Sequence, residues 1–452
     1  MRIERALLIC VLMVGISASA QAKAVPSASP SPATGSKGAD LQFYKPAPEY
    51  PPDVALAGMK LLAPGVGWAE RSVTFYNANA EDTDDTDNTI YWTTDNGRHW
   101  RNITPPGTDK SGISDFFFLD TRRGWAIYDQ STVAEQKEWP LSKLRLALAT
   151  TSDAGATWSK TPLTLKLVDY FSKEDVSIIN SIGVSHIAFA DSQHGWMQLW
   201  YWISMHGHCS LLLVTSDGGK TWKEADSYPG PNFPDMVLLT PKDGWIFGTV
   251  EPDGAPNSMF VTRDGTTNWQ KIAAQSNENL GDFAKEWNGV LVKPHGVLEE
   301  EGADCEVYGL PVFKDPAHGL LEEDCSVDVV GNDPVSMHTT VLFATNDRGR
   351  TWKQDRTVNN FVGLCNSSTV VDSTWIAPVK QSGHISLLHV GAGATVDAGE
   401  DNGSRSRYSL CETRLSFVSL AQGWMLSDHN VLQSTTDGGR TWTTITPGRN
   451  RK

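Results

Sequence analysis

TTDNGRHW (93–100), TSDAGATW (151–158), TSDGGKTW (215–222), TNDRGRTW (345–352) and TTDGGRTW (435–442) are five close copies of one octapeptide, S/T-x-D-x-G-x-T-W. TRDGTTNW (262–269) is a looser sixth copy, with Gly265 one place early. Upstream of each lies a second element: an apolar alternating run, a polar turn, then Gly-Trp. It recurs at Gly67-Trp68, Gly124-Trp125, Gly195-Trp196, Gly244-Trp245 and Gly423-Trp424, with degenerate versions at Gly319-Leu320 and Thr374-Trp375. HVGAGATV (389–396) stands where a box should follow Trp375; it keeps Gly393 and Thr395 but has lost the Asp and the Trp.

A repeat with β-type alternation, punctuated by Gly and aromatic residues, is the pattern of propeller blades. The expected fold is therefore all-β: a seven-bladed β-propeller of four-stranded antiparallel blades spanning 53–448. Strand A is the apolar run, strand B starts at Gly-Trp, strand C ends at the box, and strand D starts at the box Trp. In the box, an Asp at the start of a tight turn can accept from inward-pointing N–H groups, and Gly supplies a positive φ. The Trp covers the turn and fills space between sheets. Asp95, Asp153, Asp217, Asp264, Asp347 and Asp437 are accordingly read as structural, since catalysis needs one asymmetric site rather than a repeated one.

The boxes resemble the Asp-box (BNR) repeat of sialidases, sortilin-type receptors and some endoglucanases. The coupled pattern of apolar strand, Gly-Trp and T-x-D-G-G-x-T-W is most similar to the photosystem II stability/assembly factor-like family, and the likeness covers about 53–447. It implies an exported, single seven-bladed propeller that acts as a binding or assembly scaffold with a protein partner. The other implied reading is a carbohydrate-active enzyme or lectin on the same propeller. The sialidase pattern is incomplete here: no Arg-Ile-Pro occurs, and Arg98, Arg263, Arg348, Arg350 and Arg440 lie inside boxes. No catalytic constellation and no cofactor are expected.

The 452 residues hold 53 Asp and Glu against 38 Lys and Arg, a formal charge of −15. Such a surface argues against nucleic-acid binding, which needs a basic stripe. Residues 1–22 read as a signal peptide, with Arg2 and Arg5 ahead of an apolar run from Ala6 to Ile16 too short to span a bilayer. Residues 23–52, rich in Pro, Ser and Ala, read as a flexible linker. No later stretch is apolar enough for a transmembrane segment, so export to the periplasm or the extracellular space is expected.

The A–B and C–D turns should share one face, committed to structure, with Arg122 and Arg123 in an A–B turn on it. Variable connections should occupy the other face, where binding residues sit on a rigid scaffold. On it fall Arg71, the acidic loop Glu81, Asp82, Asp84, Asp85 and Asp87, then Trp139, Arg145, Trp287 and Arg405. Aromatic and Arg anchors suit a protein interface, and the acids favour a basic partner segment. The acidic run lacks the Gly and distal Glu of a calcium loop, and no metal site is assigned. Cys305 and Cys325 flank the turn KDPAHG (314–319) almost equally and are expected to form a disulfide, with Cys365–Cys411 a second candidate.

Overall fold

The computed structural model describes residues 56–75, 85–107, 113–130, 143–166, 179, 181–204, 207–229, 232–249, 257–274, 304–306, 309–329, 335–359, 369–371, 374–381, 384–390, 394–400, 414–426 and 431–445. The chain divides into Met1–Val54 and Ala55–Lys452, and every described residue lies in the second unit. The signal-peptide and linker readings therefore fall outside the described residues.

The first sheet is β1 (Leu56–Ala63), β2 (Val66–Phe75), β3 (Asp85–Thr93) and β4 (Arg101–Asn102). The second is β5 (Asp115–Phe118), β6 (Gly124–Asp129), β7 (Lys143–Thr151) and β8 (Ser159–Lys166). The third is β9 (Ser181–Phe189), β10 (Gly195–Ser204), β11 (Gly207–Thr215) and β12 (Lys223–Glu224). β13 (Asn232–Leu238), β14 (Gly244–Thr249), β15 (Asn257–Thr262) and β16 (Gln270–Ala274) form the fourth. Next come β17 (Asp304–Glu306), β18 (Val312–Phe313), β19 (Gly319–Val329), β20 (Val335–Thr345) and β21 (Lys353–Asn359). β22 (Thr369–Val371), β23 (Thr374–Gln381), β24 (His384–Val390) and β25 (Ala394–Glu400) follow. β26 (Arg414–Phe417), β27 (Gly423–Leu426), β28 (Leu432–Thr435) and β29 (Thr443–Thr444) are last.

All pairings among the described residues are antiparallel, and all join sequence neighbours except that of β17 with β19. The expectation of seven uniform four-stranded blades is corrected here: six blades have four strands, and the β17–β21 sheet has five. Its extra strand has a local cause. β17 and β18 both pair with β19, Cys305 opposite Cys325 and Val312 opposite Leu320, with a slip of register between them. Pro311, just before β18, has no N–H to give to the ladder, so pairing lapses there.

The outer elements fall where the repeat placed them. Strand B begins at the Gly of Gly-Trp in β6, β10, β14 and β27, and the box follows strand C in six sheets. Of the degenerate HVGAGATV segment, His389 and Val390 end β24 and Ala394 opens β25, which pairs with it, while 391–393 lie outside the described residues. The A–B turn and the box share one end of each sheet and are tied by main-chain bonds. Ala154 N–H donates to Arg122 O, Gly218 N–H to Gln193 O and Arg348 N–H to Ala317 O.

The Gly-Trp pair is explained by packing. In three sheets the residue opposite this Gly is the aromatic that ends strand A: Phe118 opposite Gly124, Phe189 opposite Gly195, Phe417 opposite Gly423. A Cβ on Gly195 would lie 2.6 Å from the Phe189 ring, so the aromatic lies flat across the bare backbone. The Trp then leaves its own sheet and wedges against the next. Trp125 stacks on Phe189 with centroids 4.0 Å apart, and its indole N–H donates to Gly218 O in the third sheet's box. Trp245 packs against Phe313 and Trp352 of the five-stranded sheet, inside a buried cluster with Val341 and Phe343.

The ring closes in the same way. Trp424 of β27 is fully buried, donates to Asn96 Oδ1 of the first sheet at 2.8 Å and packs on Trp100. Leu61 N–H donates to Ser416 Oγ at 2.9 Å. Among the described residues no strand is exchanged between the β1 and β27 sheets, and the seam is held by side chains that pack and bond to the neighbouring sheet.

Candidate functional site

The six boxes are built alike: the opening Thr hydroxyl bonds the Asp in all of them. The Asp's other oxygen meets a second Thr hydroxyl in four, the His99 ring in the first and the Asn268 amide in the fourth. In the third sheet, Asp217 Oδ1 accepts from Thr221 N–H and the Thr215 hydroxyl, and Oδ2 accepts from the Thr221 hydroxyl. The Thr215 oxygen in turn accepts from Gly219 N–H at 2.9 Å. The sequence reading had several N–H groups converging on the Asp. The structure keeps such bonds, as from Arg350 and Thr351 N–H to Asp347 Oδ1, and adds to them: the opening Thr takes the buried glycine N–H. The looser box is also resolved. The fourth and fifth box positions are both left-handed, with φ 76° at Gly265 and 81° at Thr266, so glycine has exchanged places within an intact turn. Thr266 N–H still finds the Thr262 hydroxyl.

These bonds pull the box carboxyls down. Asp153, Asp217 and Asp437 fall from 3.8 to about 2, chiefly through the hydroxyls of Thr157, Thr221 and Thr441. At Asp95 partial desolvation opposes the shift and is outweighed by the His99 N–H and ring and by the Thr93 hydroxyl, leaving it at about 2. Asp264 and Asp347 are lowered against the same opposing burial. Folded carboxyls then bind protons more weakly than unfolded ones, so stability is held above about pH 4 and falls as pH drops toward 2. Urea midpoints measured between pH 5 and 2 are expected to decline most steeply below pH 4; a flat profile would remove these bonds as a stabilising set.

With every box carboxyl occupied, the charged groups left over gather elsewhere. Asp115, His186, Asp235 and Arg414 sit on strands A of four different sheets, each three residues before the residue that pairs with the Gly of Gly-Trp. Strands A of neighbouring sheets adjoin one another, β5 with β9 and β9 with β13, and β26 with β1 and β22. These side chains thus form a belt at one level of the inner strands. In the first sheet the same position is Gly58, and Glu70 from β2 fills the gap: a Cβ there would stand 3.2 Å from Glu70 Oε2 and 3.5 Å from Arg414 Nη1.

The belt is electrostatically linked. Asp115 Oδ2 accepts from Ile187 N–H at 2.7 Å and lies 3.7 Å from His186 Nδ1. Arg414 donates to Ala57 O at 2.6 Å. Burial raises the Glu70 carboxyl to about 7; the Asp115 charge adds to the rise and Arg414 offsets part of it. At His186 burial lowers the pKa, but the nearby Asp115 carboxylate and the charge of Asp235 outweigh it, so the net shift is upward. Below pH 4.5 Glu70 is protonated in both states, and between 4.5 and 7 the folded state resists ionising, so stability is lost as pH rises through that window. Glu70→Gln is therefore expected to stabilise the fold by on the order of 2 kcal/mol at pH 8 and by little at pH 4. Equal effects at both pH values would show that its charge is not the cause.

Few of the residues expected on the binding face can be placed. Arg71 is half-buried on β2, opposite Leu56 and Thr89, and its Nε has no hydrogen-bond partner among the described residues. Asp85 and Asp87 are not in a loop but on β3, opposite Phe75 and Val73, because the β2–β3 hairpin extends further than the acidic composition suggested. Arg145 lies on β7 opposite Thr164. Glu81, Asp82, Asp84, Trp139, Trp287 and Arg405 lie outside the described residues. The belt went unrecognised in sequence, because its members share a register position but no residue type.

Together these features define a β-propeller built on Asp-box turns. No family model matches the chain. Among curated proteins, an oligoxyloglucan-reducing end-specific xyloglucanase of Emericella nidulans is 29% identical over 103 residues, covering 20% of this chain and 12% of that enzyme. Similar solved structures include YCF48 bound to D1 peptide, at 17% identity and TM-score 0.37, covering 75% of this chain and 83% of that one. YCF48 from Cyanidioschyzon merolae gives 15% and 0.39, covering 76% and 88%. The Hadza microbial sialidase Hz136 gives 12% and 0.41, covering 84% and 65%. No helix among the described residues is long and apolar enough to cross a membrane.

Proposed function

We propose that the protein is an exported, non-catalytic propeller that binds a protein partner on the face opposite the Asp boxes. The observation that carries this reading is the division of charge. The box carboxyls are consumed by their own turns, while Asp115, His186, Asp235, Arg414 and Glu70 remain as a mixed-charge belt on the inner strands. In this reading Arg71, Arg145 and Arg405, the acids from Glu81 to Asp87, and the anchors Trp139 and Trp287 surround the belt as a rim. The five-stranded sheet counts as the seventh blade, because β17 and β18 together occupy the edge that one strand A takes elsewhere.

The test is capture of a partner from the envelope fraction by wild type, by Trp139→Ala/Trp287→Ala, and by Asp115→Asn/Asp235→Asn. Binding is expected to fall in both variants and to survive changes at Arg122 and Arg123. Equal capture by all forms would discard the face assignment. A second reading has one observation in its favour: a carboxyl raised to about 7 beside the Asp115 carboxylate, the protonated-and-ionised pairing that glycoside hydrolysis uses. Under it, and in line with the short xyloglucanase likeness, Glu70→Gln abolishes release from a reducing-end glycoside; under the scaffold reading there is no such activity to lose.

We also propose a Cys305–Cys325 disulfide. The two residues are directly opposed across β17 and β19. Non-reducing peptide mapping is expected to recover them in one linked fragment, and recovery of both as free thiols would refute the bridge.

A further inference from the structure

His186 stands between two carboxylates on the inner strands. Asp115 of β5 lies on one side, its Oδ2 3.7 Å from His186 Nδ1. Asp235 holds the same register position on β13, the strand that adjoins β9 on the other side. β10 offers only the uncharged Gln198 opposite His186. Ile187 N–H donates to Asp115 Oδ2 at 2.7 Å, so the carboxylate is held beside the ring whatever the ring's charge. The His186 and Asp115 side chains keep 40% and 26% of their surface open, so both protons and a guest can reach them.

Glu70 is the second titrating group of the belt. Trp68, two residues before it and on the same side of β2, packs on Phe116 with centroids 4.7 Å apart and brings β2 against the strand that carries Asp115. On β1 the bare Gly58 gives the carboxyl its room, with the Arg414 guanidinium of β26 at the same gap. On β3 the residue opposite is Ile90. Lys60, on the same side of β1 as Gly58, is that strand's cation, and desolvation lowers its pKa.

The charge of these five belt groups changes by two over one narrow pH range. With His186 neutral and Glu70 ionised, three carboxylates stand against Arg414. With His186 charged and Glu70 neutral, two carboxylates stand against two cations. Both groups are biased toward keeping their protons. Burial, with the Asp115 charge added and Arg414 opposing, puts Glu70 at about 7. Burial alone would lower His186, but the carboxylates on either side outweigh it and raise it.

We propose that the belt is a proton-operated clasp: above neutral pH it holds a basic segment of a protein partner against Asp115, Asp235 and Glu70, and in acid His186 and Glu70 take protons and release it. His186 is the internal competitor, because its own positive charge satisfies the two carboxylates that otherwise face the guest. This inference rests on the scaffold reading of the same face.

The test titrates an acetylated, amidated tri-arginine peptide into the full protein at fixed ionic strength, at about pH 8 and about pH 5.5. The peptide's charge is constant in that range, so only the protein titrates. Wild type, His186→Gln, Glu70→Gln and the double variant are compared, and the ratio of affinities at the two pH values is read within each. Wild type is expected to bind about tenfold more weakly in acid, each single variant to keep part of that drop, and the double variant to show none. No saturable binding by wild type at the higher pH, an affinity that ignores pH, or a full drop in the double variant would overturn the clasp. NMR of the His186 ring gives a second readout that needs no guest: its titration midpoint is expected to fall in Asp115→Asn, and an unmoved midpoint would also overturn it. Loss of partner capture with these pH effects intact would remove the protein partner and leave the clasp; capture without them would remove the clasp alone.

Discussion

Gly349→Ala is expected to destabilise the propeller by about 3–4 kcal/mol, combining the cost of a left-handed alanine with overpacking against a rigid ring. Its φ is 71°, and the new methyl carbon would sit 2.3 Å and 2.5 Å from two atoms of the Trp245 indole. That indole is held by Phe313 at 5.6 Å and Trp352 at 6.0 Å and cannot withdraw without opening the seam between sheets. Gly265→Ala is the control: its φ is 76°, but the nearest atom to the added carbon is Pro241 O at 3.4 Å. There only the conformational cost of about 1 kcal/mol should appear. Urea denaturation compares the two, and equal losses would mean that the box glycine serves its turn and not the contact between sheets.

Trp424→Ala is expected to cost about 4 kcal/mol, in the range for deleting a buried aromatic. Its indole crosses the junction between last and first sheets, lies 2.8 Å from where a Gly67 Cβ would be, and bonds to Asn96. Because the deleted indole lies at that junction, the loss should be local as well as global. Hydrogen exchange is expected to accelerate in β1 and β27 before it does in β10 and β11. Uniform acceleration would show that the junction is no weaker than the rest of the ring.

The repeat made the architecture legible because each box carries its own turn chemistry, and a six-fold recurrence leaves little room for another fold. Trp125 and Trp245 stood out in sequence, but their partners in the next sheet did not, since contacts between blades leave no local spacing. The extra strand was hidden for a related reason: Pro311 interrupts pairing only if β19 is long enough to continue past it. Asp85 and Asp87 looked like loop residues because acids are poor strand formers, yet the paired β2 strand carried them into the sheet. The inner belt was least legible. Asp115, His186, Asp235 and Arg414 become neighbours only when the strands are aligned by the glycines opposite them.

Each sheet of this ring is a single uninterrupted run of chain, and the junction between β27 and β1 resembles the others in its Trp wedge. The point where the polypeptide starts its circuit is therefore arbitrary with respect to the ring. Joining the ends of 56–445 by a linker and reopening the chain ahead of β9 or β13 would leave every strand pairing in place. Architecture and chain order are separable here, so blades could be reordered in register, or the ring entered at a new position, by cutting and rejoining the gene between sheets.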